Sequence, residues 1–258
     1  MQRFPRLIFL ALLLAALASC RSTNQFLKAK AADPSPFLEH QNETFTDRER
    51  VPFHRIWRPR DQRDLRTAAS RTDIFIAPVR LDLLRPVSQA LARKEIEVGG
   101  IARREQNVAA HIRSEFTRAF MNSPGRRYRP VSAPGKNSVT LELALIELNP
   151  TSPTGNGVKM ALKFVIGPFA GLGGYFTKGN IAIEGKLRDS RTGALLFQFA
   201  DNQSDKMTFY SLRDFYPYAH ANAAIKEWAE AFELFTRTPA SYRVEGSLCF
   251  TLDPTTGS

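Results

Sequence analysis

The side chains that most often carry catalysis are few in this sequence, and their spacing matches no familiar catalytic or metal-binding motif. The four histidines, His40, His54, His111 and His220, do not stand at the spacing of metal ligands. The sequence also lacks a Gly-x-Ser-x-Gly elbow, a Ser-x-x-Lys pair and a His-Glu-x-x-His motif. We therefore predict no catalytic residue, no metal and no cofactor.

Two aspartates and two cysteines are the other candidates for acid or nucleophile chemistry. Asp189 and Asp201 flank a predicted hairpin, and because aspartate is common in turns and at strand ends, we interpret both as structural. Cys249 has no recognisable base near it in the sequence, and Cys20 ends an N-terminal signal. His111, on an arginine-rich helix, is interpreted as a surface or boundary residue.

Arginines are the most concentrated chemical feature of the chain. The 258 residues carry 36 Lys and Arg against 25 Asp and Glu, for a formal charge of +11. The densest basic patch lies on a predicted helix over residues 103–122 and the loop after it, and we name as a candidate anionic-ligand patch Arg113, Arg118, Arg126, Arg127 and Arg129. A solvated helix face is the other interpretation of these charges.

The first twenty residues predict where the protein is located. Arg3 and Arg6 precede an apolar run from Leu7 to Leu17, which is typical of a secretory signal. The run ends in Leu17-Ala18-Ser19-Cys20, which resembles the bacterial lipobox and implies cleavage of residues 1–19 and lipidation of Cys20. Arg21 stands where inner-membrane lipoproteins typically have aspartate, so the resemblance implies the periplasmic side of the outer membrane. Nucleic acid is excluded as a partner in that compartment.

Residues 20–72 are predicted to be a lipidated tether, because they show no sustained helical or strand period and contain four prolines. Within this segment, residues 53–60 combine aromatic side chains with arginines. They could form a surface for an anionic polymer or for lipid head groups. We favour an extended arm that lays Phe53, Ile56 and Trp57 onto the folded domain and leaves the arginines in water.

The hydrophobic pattern predicts a folded domain over residues 73–240. Strands are predicted at residues 74–79, 139–148, 181–188 and 195–199, and the last two are joined by a turn from Asp189 to Gly193. Apolar stripes predict amphipathic helices over residues 103–122 and 218–236. The expected fold is α+β, with a mostly antiparallel sheet and two amphipathic helices packed on it. Residues 241–258 are expected to be a C-terminal extension.

An apolar segment interrupted by glycine lies between the two strand regions, at residues 158–176. Its glycines form neither a dinucleotide fingerprint nor a phosphate loop, and its apolar part is too short to span a membrane. It could be a connection folded over the sheet edge or a segment that touches the bilayer or a partner. Its candidate interaction residues are Phe164, Ile166, Phe169, Leu172, Tyr175 and Phe176.

Several short motifs follow one another along the chain. They are the lipobox, Phe37-Leu38, Trp57, Asp73 with Pro78-Val79, the hairpin Glu184-Gly185-Lys186-Leu187-Arg188-Asp189-Ser190-Arg191-Thr192-Gly193, Asp201 and Trp228-Ala229. This order resembles the bacterial lipoproteins of the domain-of-unknown-function family numbered 3313. The resemblance covers residues 20–237 and implies a periplasm-facing α/β lipoprotein body with no established activity.

Together these features predict a non-catalytic lipoprotein of the bacterial envelope. We expect it to be anchored to the outer membrane through Cys20 and to bind a protein partner or an anionic envelope polymer. The alternative is a periplasmic hydrolase whose site has no recognisable pattern.

Overall fold

The structure is a computed structural model that describes residues 32–46, 51–85, 98–149, 180–204, 207–208, 219–239, 241–244 and 250–251. The described helices are α1 (Gln62–Ser70), α2 (Val98–Met121) and α3 (Ala219–Arg237). The strands are β1 (Arg55–Trp57), β2 (Asp73–Ile76), β3 (Arg129–Val131), β4 (Ser138–Asn149), β5 (Asn180–Asp189), β6 (Leu195–Ser204), β7 (Met207–Thr208) and β8 (Phe250–Thr251).

Six strands form one sheet in the order β1-β6-β5-β4-β2-β3, and β7 pairs with β8 in a small separate sheet. The large sheet is mixed rather than mostly antiparallel, because β2 runs parallel to both β3 and β4. The reason is α2, which follows β2 and returns the chain so that β3 can pair with β2 in the same direction. The α+β class is confirmed.

A third helix lies where the sequence predicted only a tether. Asp61 caps α1 by accepting a hydrogen bond from the backbone N–H of Arg63 at 2.8 Å, which fixes the helix start. The prediction of two helices was therefore one short, because this helix has only nine residues and most of them are polar or charged.

The β5–β6 hairpin closes as the sequence predicted. Gly193 has a φ of +74°, and its N–H donates to the carbonyl of Asp189 at 2.8 Å. The Asp189 carboxylate accepts hydrogen bonds from the N–H and hydroxyl of Thr192 at 3.1 and 2.6 Å. A short aspartate-to-glycine turn thus sets the register in which β5 and β6 pair.

Helices α2 and α3 bring their apolar stripes to the main core, which also takes in one face of the sheet. Both predicted stripes are confirmed, since their central residues Ile112, Phe116, Ile225 and Phe232 are fully buried. Phe199 of β6 also lies in this core, and its ring occupies the space beside Gly185 of β5. A Cβ added at Gly185 would lie 2.1 Å from Cε1 of Phe199, so this position requires glycine.

The opposite face of the sheet is covered by residues 32–43, which we call the N-terminal strap. Phe37 and Leu38 of the strap are buried in a second apolar cluster with Ala144, Ile146 and Ala182. Further along, β1 pairs antiparallel with β6, and Phe53 and Ile56 lie in the main core. The docking arm that we favoured is confirmed for these two side chains. The Trp57 ring is half-buried and stacks on His40, with ring centroids 4.1 Å apart.

Several predictions fall outside the described residues. They concern the signal peptide, the lipidation of Cys20, the segment 158–176 with its six candidate residues, and most of the C-terminal extension. Within the described part of the chain, no helix has the length and apolar character needed to cross a bilayer.

Candidate functional site

A groove of about 1300 Å³ lies between α2 and the β2–β3 side of the sheet. One wall is the face of α2 that carries Gln106, Ala110 and Thr117. The other wall consists of Pro78, Val79 and Leu81 after β2 and residues 130–132 in and after β3. A groove of this size exceeds the roughly 300–1000 Å³ of ordinary small-molecule sites.

The amphipathic pattern of α2 explains why the groove stays open. The large apolar residues Val108, Ile112 and Phe116 point into the core, whereas the neighbouring face has the small, exposed side chains of Ala110 and Ser114. Beyond the end of α2, Tyr128 is buried edge-on against Phe120, with centroids 6.1 Å apart. This contact holds the chain near α2 before β3 begins.

Four arginines line the groove, and no aspartate or glutamate stands among its described lining residues. These four belong to the predicted patch and are Arg113, Arg118, Arg126 and Arg129. Such a surface has a positive potential, which concave walls of low dielectric focus. The chemistry that it can perform is the binding of anionic groups through guanidinium hydrogen bonds.

Two of these arginines are tethered to the β2 wall. Arg113 donates from Nε to the carbonyl of Ile76 at 3.0 Å, which connects α2 to the end of β2. Arg129 lies with Nη2 3.1 Å from a carboxylate oxygen of Asp73 at the start of β2. The first contact fixes Nε of Arg113, whereas the Arg129 side chain stays 79% exposed. The other guanidinium N–H groups of these two arginines have no partner among the residues that the structure describes.

The other two arginines extend from the far end of the groove. Arg118 donates from Nη1 to Glu115 at 2.7 Å, and its side chain is 63% exposed. Arg126 is exposed, has a φ of +42°, and forms no ion pair with any residue that the structure describes. Arg126 and the exposed, singly paired Arg118 and Arg129 are therefore the cationic groups best placed to meet an incoming anion.

The fifth member of the predicted patch has a different role. Arg127 donates to the carbonyls of Arg71 and Ala68 at 2.6 and 2.7 Å, and its guanidinium stacks on the ring of Tyr128 at 4.2 Å. These carbonyls belong to the C-terminal end of α1 and to the residue that follows it, so Arg127 caps that helix. The structure brings four of the five predicted arginines together at the groove and commits Arg127 to α1.

A second polar cluster lies inside the protein, around Asp201. The carboxylate accepts a hydrogen bond from Nε1 of Trp228 at 2.6 Å and one from the backbone N–H of His54 at 3.1 Å, and it also contacts Nδ1 of His54. Asp201 lies within β6 rather than in a turn, and its contacts hold β6 to α3 and to the segment before β1, whereas Asp189 closes the turn of the hairpin. The adjoining cavity of about 10 Å³ has room for a single water molecule.

The remaining histidines and the acidic residues do not assemble into a metal site in the part of the chain that the structure describes. His111 is half-exposed on α2, with Nδ1 3.7 Å from Glu115, and His40 lies against Trp57. The sequence did not indicate the apolar walls of the groove. Pro78 and Val79 were predicted to continue a strand, but β2 ends at Ile76. The one available signal was Pro78, which cannot extend a paired strand.

The fold and the groove define an α+β protein with an open cationic groove and a strap across the second face of its sheet. The chain belongs to the family described as a protein of unknown function, DUF3313, which matches residues 64–232. No curated protein matches the sequence.

Three solved structures are distantly similar to the chain. The PelC dodecamer from Paraburkholderia phytofirmans is 10% identical, with a TM-score of 0.34, and 66% of this chain covers 91% of that one. A point variant of it is 11% identical, with a TM-score of 0.36 and coverages of 64% and 88%. The hypothetical protein CT253 from Chlamydia trachomatis is 9% identical, with a TM-score of 0.33 and coverages of 65% and 92%. Similarities this low carry no functional argument.

Proposed function

We propose that the protein is a non-catalytic lipoprotein of the bacterial envelope that binds a protein partner or an anionic envelope polymer in the groove beside α2. One observation carries this proposal: the groove is lined by four arginines and, among its described lining residues, by no acidic side chain. A solvated helix face needs no concave surface, whereas a binding site does. The concave shape therefore favours binding over a merely solvated helix face as the interpretation of these charges.

The arrangement of the arginines also supports binding. Because Nε of Arg113 is already held by the carbonyl at the end of β2, little of its side-chain freedom is lost when it contacts an anion. Arg118 and Arg126 extend into water, where they can attract an anion from a distance and then close on it. The proposed binding is therefore sensitive to salt, as interactions between exposed charges are.

The lipid anchor of the proposal rests on Cys20 and the residues before it. The twelve residues from Arg21 to Ala32 can extend at most about 40 Å. An anchor at Cys20 would therefore hold the body close to the membrane surface and the groove in the periplasm. Labelled palmitate tests the anchor, since incorporation should disappear in Cys20→Ala and the variant should leave the membrane fraction. Labelling that persists in this variant would overturn the anchor.

The groove is tested with fluorescent polyglutamate as a carboxylate polyanion and the mature chain carrying Cys20→Ser. We expect binding at about 20 mM salt and its loss at about 300 mM, where the Debye length is much shorter. Arg118→Gln combined with Arg126→Gln should weaken binding about tenfold or more, at about three- to fivefold for each exposed charge. The matched control is Arg63→Gln with Arg191→Gln, since both arginines are exposed and lie outside the groove. Equal weakening by the two pairs would overturn the assignment to the groove.

A further inference from the structure

We infer that the groove receives an acidic amphipathic helix of a partner protein, whose carboxylates lie at the end nearest Arg118 and Arg126. This inference rests on the proposed function and names the partner of that same site. It follows from the edge of the sheet, the chemistry of the walls, and the distribution of charge along the groove.

The edge of the sheet beside the groove cannot accept another strand. β3 has three residues, and the N–H of Arg129 donates inward to the carbonyl of Thr72 at 2.9 Å. Because alternate residues of a strand face opposite neighbours, the residue that faces outward is Pro130, which has no N–H. An incoming strand would find no donor at the centre of this edge. Binding by addition of a strand is therefore excluded.

The walls also disfavour an irregular peptide. Pro78 stands on the β2 side of the groove and Pro130 on the β3 side, and neither supplies a backbone donor. The other wall is α2, whose interior backbone groups already pair within the helix. An irregular segment that entered the groove would find no backbone partners on these walls and would depend on side chains and water to pair its N–H and C=O groups. A helix satisfies these groups internally, so it fits walls of this kind.

A bilayer surface is a poor fit for the same groove. The described part of the chain exposes three large apolar side chains, those of Phe45, Met121 and Tyr242. Of these three, only Met121 lines the groove. Surfaces that insert into membranes present several such side chains together. A flat layer of head groups also cannot fill a concave space, whereas a single helix can. The occupant is therefore a protein segment.

Charge is distributed unevenly along the groove. The groove follows α2 from Gln106 to Met121, a distance of about 22 Å, which equals the length of a partner helix of about 15 residues. Apart from Arg113 near the middle, the lining arginines gather toward the Met121 end, with Arg126 and Arg129 following α2 in the chain. Val79 and Leu81 line the groove with uncharged, apolar side chains. A matching helix is apolar along its length and acidic at one end.

The test uses an 18-residue helical peptide with leucines along one face and four glutamates at one end. It is titrated into the mature chain carrying Cys20→Ser. Arg118→Gln with Arg126→Gln should weaken its binding about tenfold or more. Ala110→Trp, at an exposed helix position, should fill the groove and weaken peptide binding by a similar factor. The control pair Arg63→Gln and Arg191→Gln should leave it unchanged. Circular dichroism confirms that each variant is folded.

Two control peptides separate this inference from the function on which it rests. The first has a central proline that breaks the helix, and the second replaces each glutamate with glutamine. Both should bind at least about tenfold more weakly than the parent peptide, a loss of roughly 1.4 kcal/mol. If the proline peptide binds equally well, or if Ala110→Trp has no effect, the helical occupant is overturned while polyglutamate binding can still stand. If neither the parent peptide nor polyglutamate binds at low salt, the proposed function fails as well.

Discussion

The carboxylate of Glu184 accepts two hydrogen bonds from Ser35, which lies 149 residues earlier in the chain. The backbone N–H of Ser35 donates to one carboxylate oxygen at 2.8 Å and its hydroxyl donates to the other at 2.5 Å. Glu184 is buried at the centre of the sheet, so the strap supplies the hydrogen bonds that water would otherwise provide. The strap is therefore a structural part of the domain.

Burial raises the pKa of Glu184 above its usual value of 4.5, although the hydrogen bonds from Ser35 oppose that shift. The folded state thus holds this proton more tightly than the unfolded state does. The contribution of Glu184 to stability is full below its unfolded pKa and is lost as the pH rises through the folded pKa. We expect Glu184→Gln to remove this loss, so that its melting temperature falls less than that of the parent between pH 4 and pH 8. The prediction is contradicted if the melting temperatures of the two proteins change by the same amount between pH 4 and pH 8.

Asp189 should show the opposite dependence on pH. Burial alone would raise its pKa, but hydrogen bonds from Arg71 and Thr192 outweigh that effect and lower the pKa below its usual value of 3.8. Its contribution to stability is present above the unfolded pKa and is lost as the pH falls through the folded one. Asp189→Asn should therefore destabilise the protein more at pH 7 than at pH 3, which lies below the usual pKa of this carboxyl. Urea denaturation at the two pH values measures the difference, and an equal loss at both would refute it.

Gly185 should not tolerate a side chain. The methyl group of Gly185→Ala would collide with the ring of Phe199, and overpacking of this kind costs about 1–3 kcal/mol. The matched control is Gly135→Ala, because an added Cβ at Gly135 meets no atom within 4 Å. Chemical denaturation should separate the two variants clearly. Adding Phe199→Leu to Gly185→Ala should recover part of the loss, and the explanation fails if the double variant shows no recovery.

The indole N–H of Trp228 should stabilise the folded protein through its hydrogen bond to Asp201. Trp228→Phe keeps an aromatic ring but leaves one oxygen of the buried Asp201 carboxylate without its donor, which costs about 1.5–3 kcal/mol for a charged acceptor. Trp57→Phe is the control, because Nε1 of Trp57 donates to the exposed carboxylate of Glu43 at 3.3 Å, which water can replace. We expect guanidinium denaturation to show a large effect for Trp228→Phe and almost none for the control. Similar effects of both changes would disprove the role of the buried hydrogen bond.

The sequence predicted well those structural features that depend on residues close together in the chain. The turn from Asp189 to Gly193 and the apolar stripes of α2 and α3 are local patterns, and each formed as expected. The parallel pairing of β2 was missed because a short apolar run does not encode the direction of its neighbour. The strap was missed because its partners, such as Glu184, lie far away in the sequence and prolines leave it without a period.

For the candidate site, the sequence identified the charged residues but not the walls of the groove. The concentration of arginines identified four of the groove's lining residues, but it could not distinguish Arg126 from Arg127. These neighbours differ because Arg126 adopts a positive φ and remains in solvent, while Arg127 turns toward the carbonyls at the end of α1. The walls depend on where β2 ends and on how closely α2 approaches the sheet, and both are set by tertiary packing.

The strap also determines how tension on the N-terminal side would be carried by the body. A pull applied at Ala32 reaches Ser35 first and is transferred through Glu184 to β5, a central strand of the sheet. Only after the strap has detached would the load reach the three-residue pairing of β1 with β6 at the edge. A domain pulled from this end would thus be loaded first at a central strand, and its β1 edge would carry load only later.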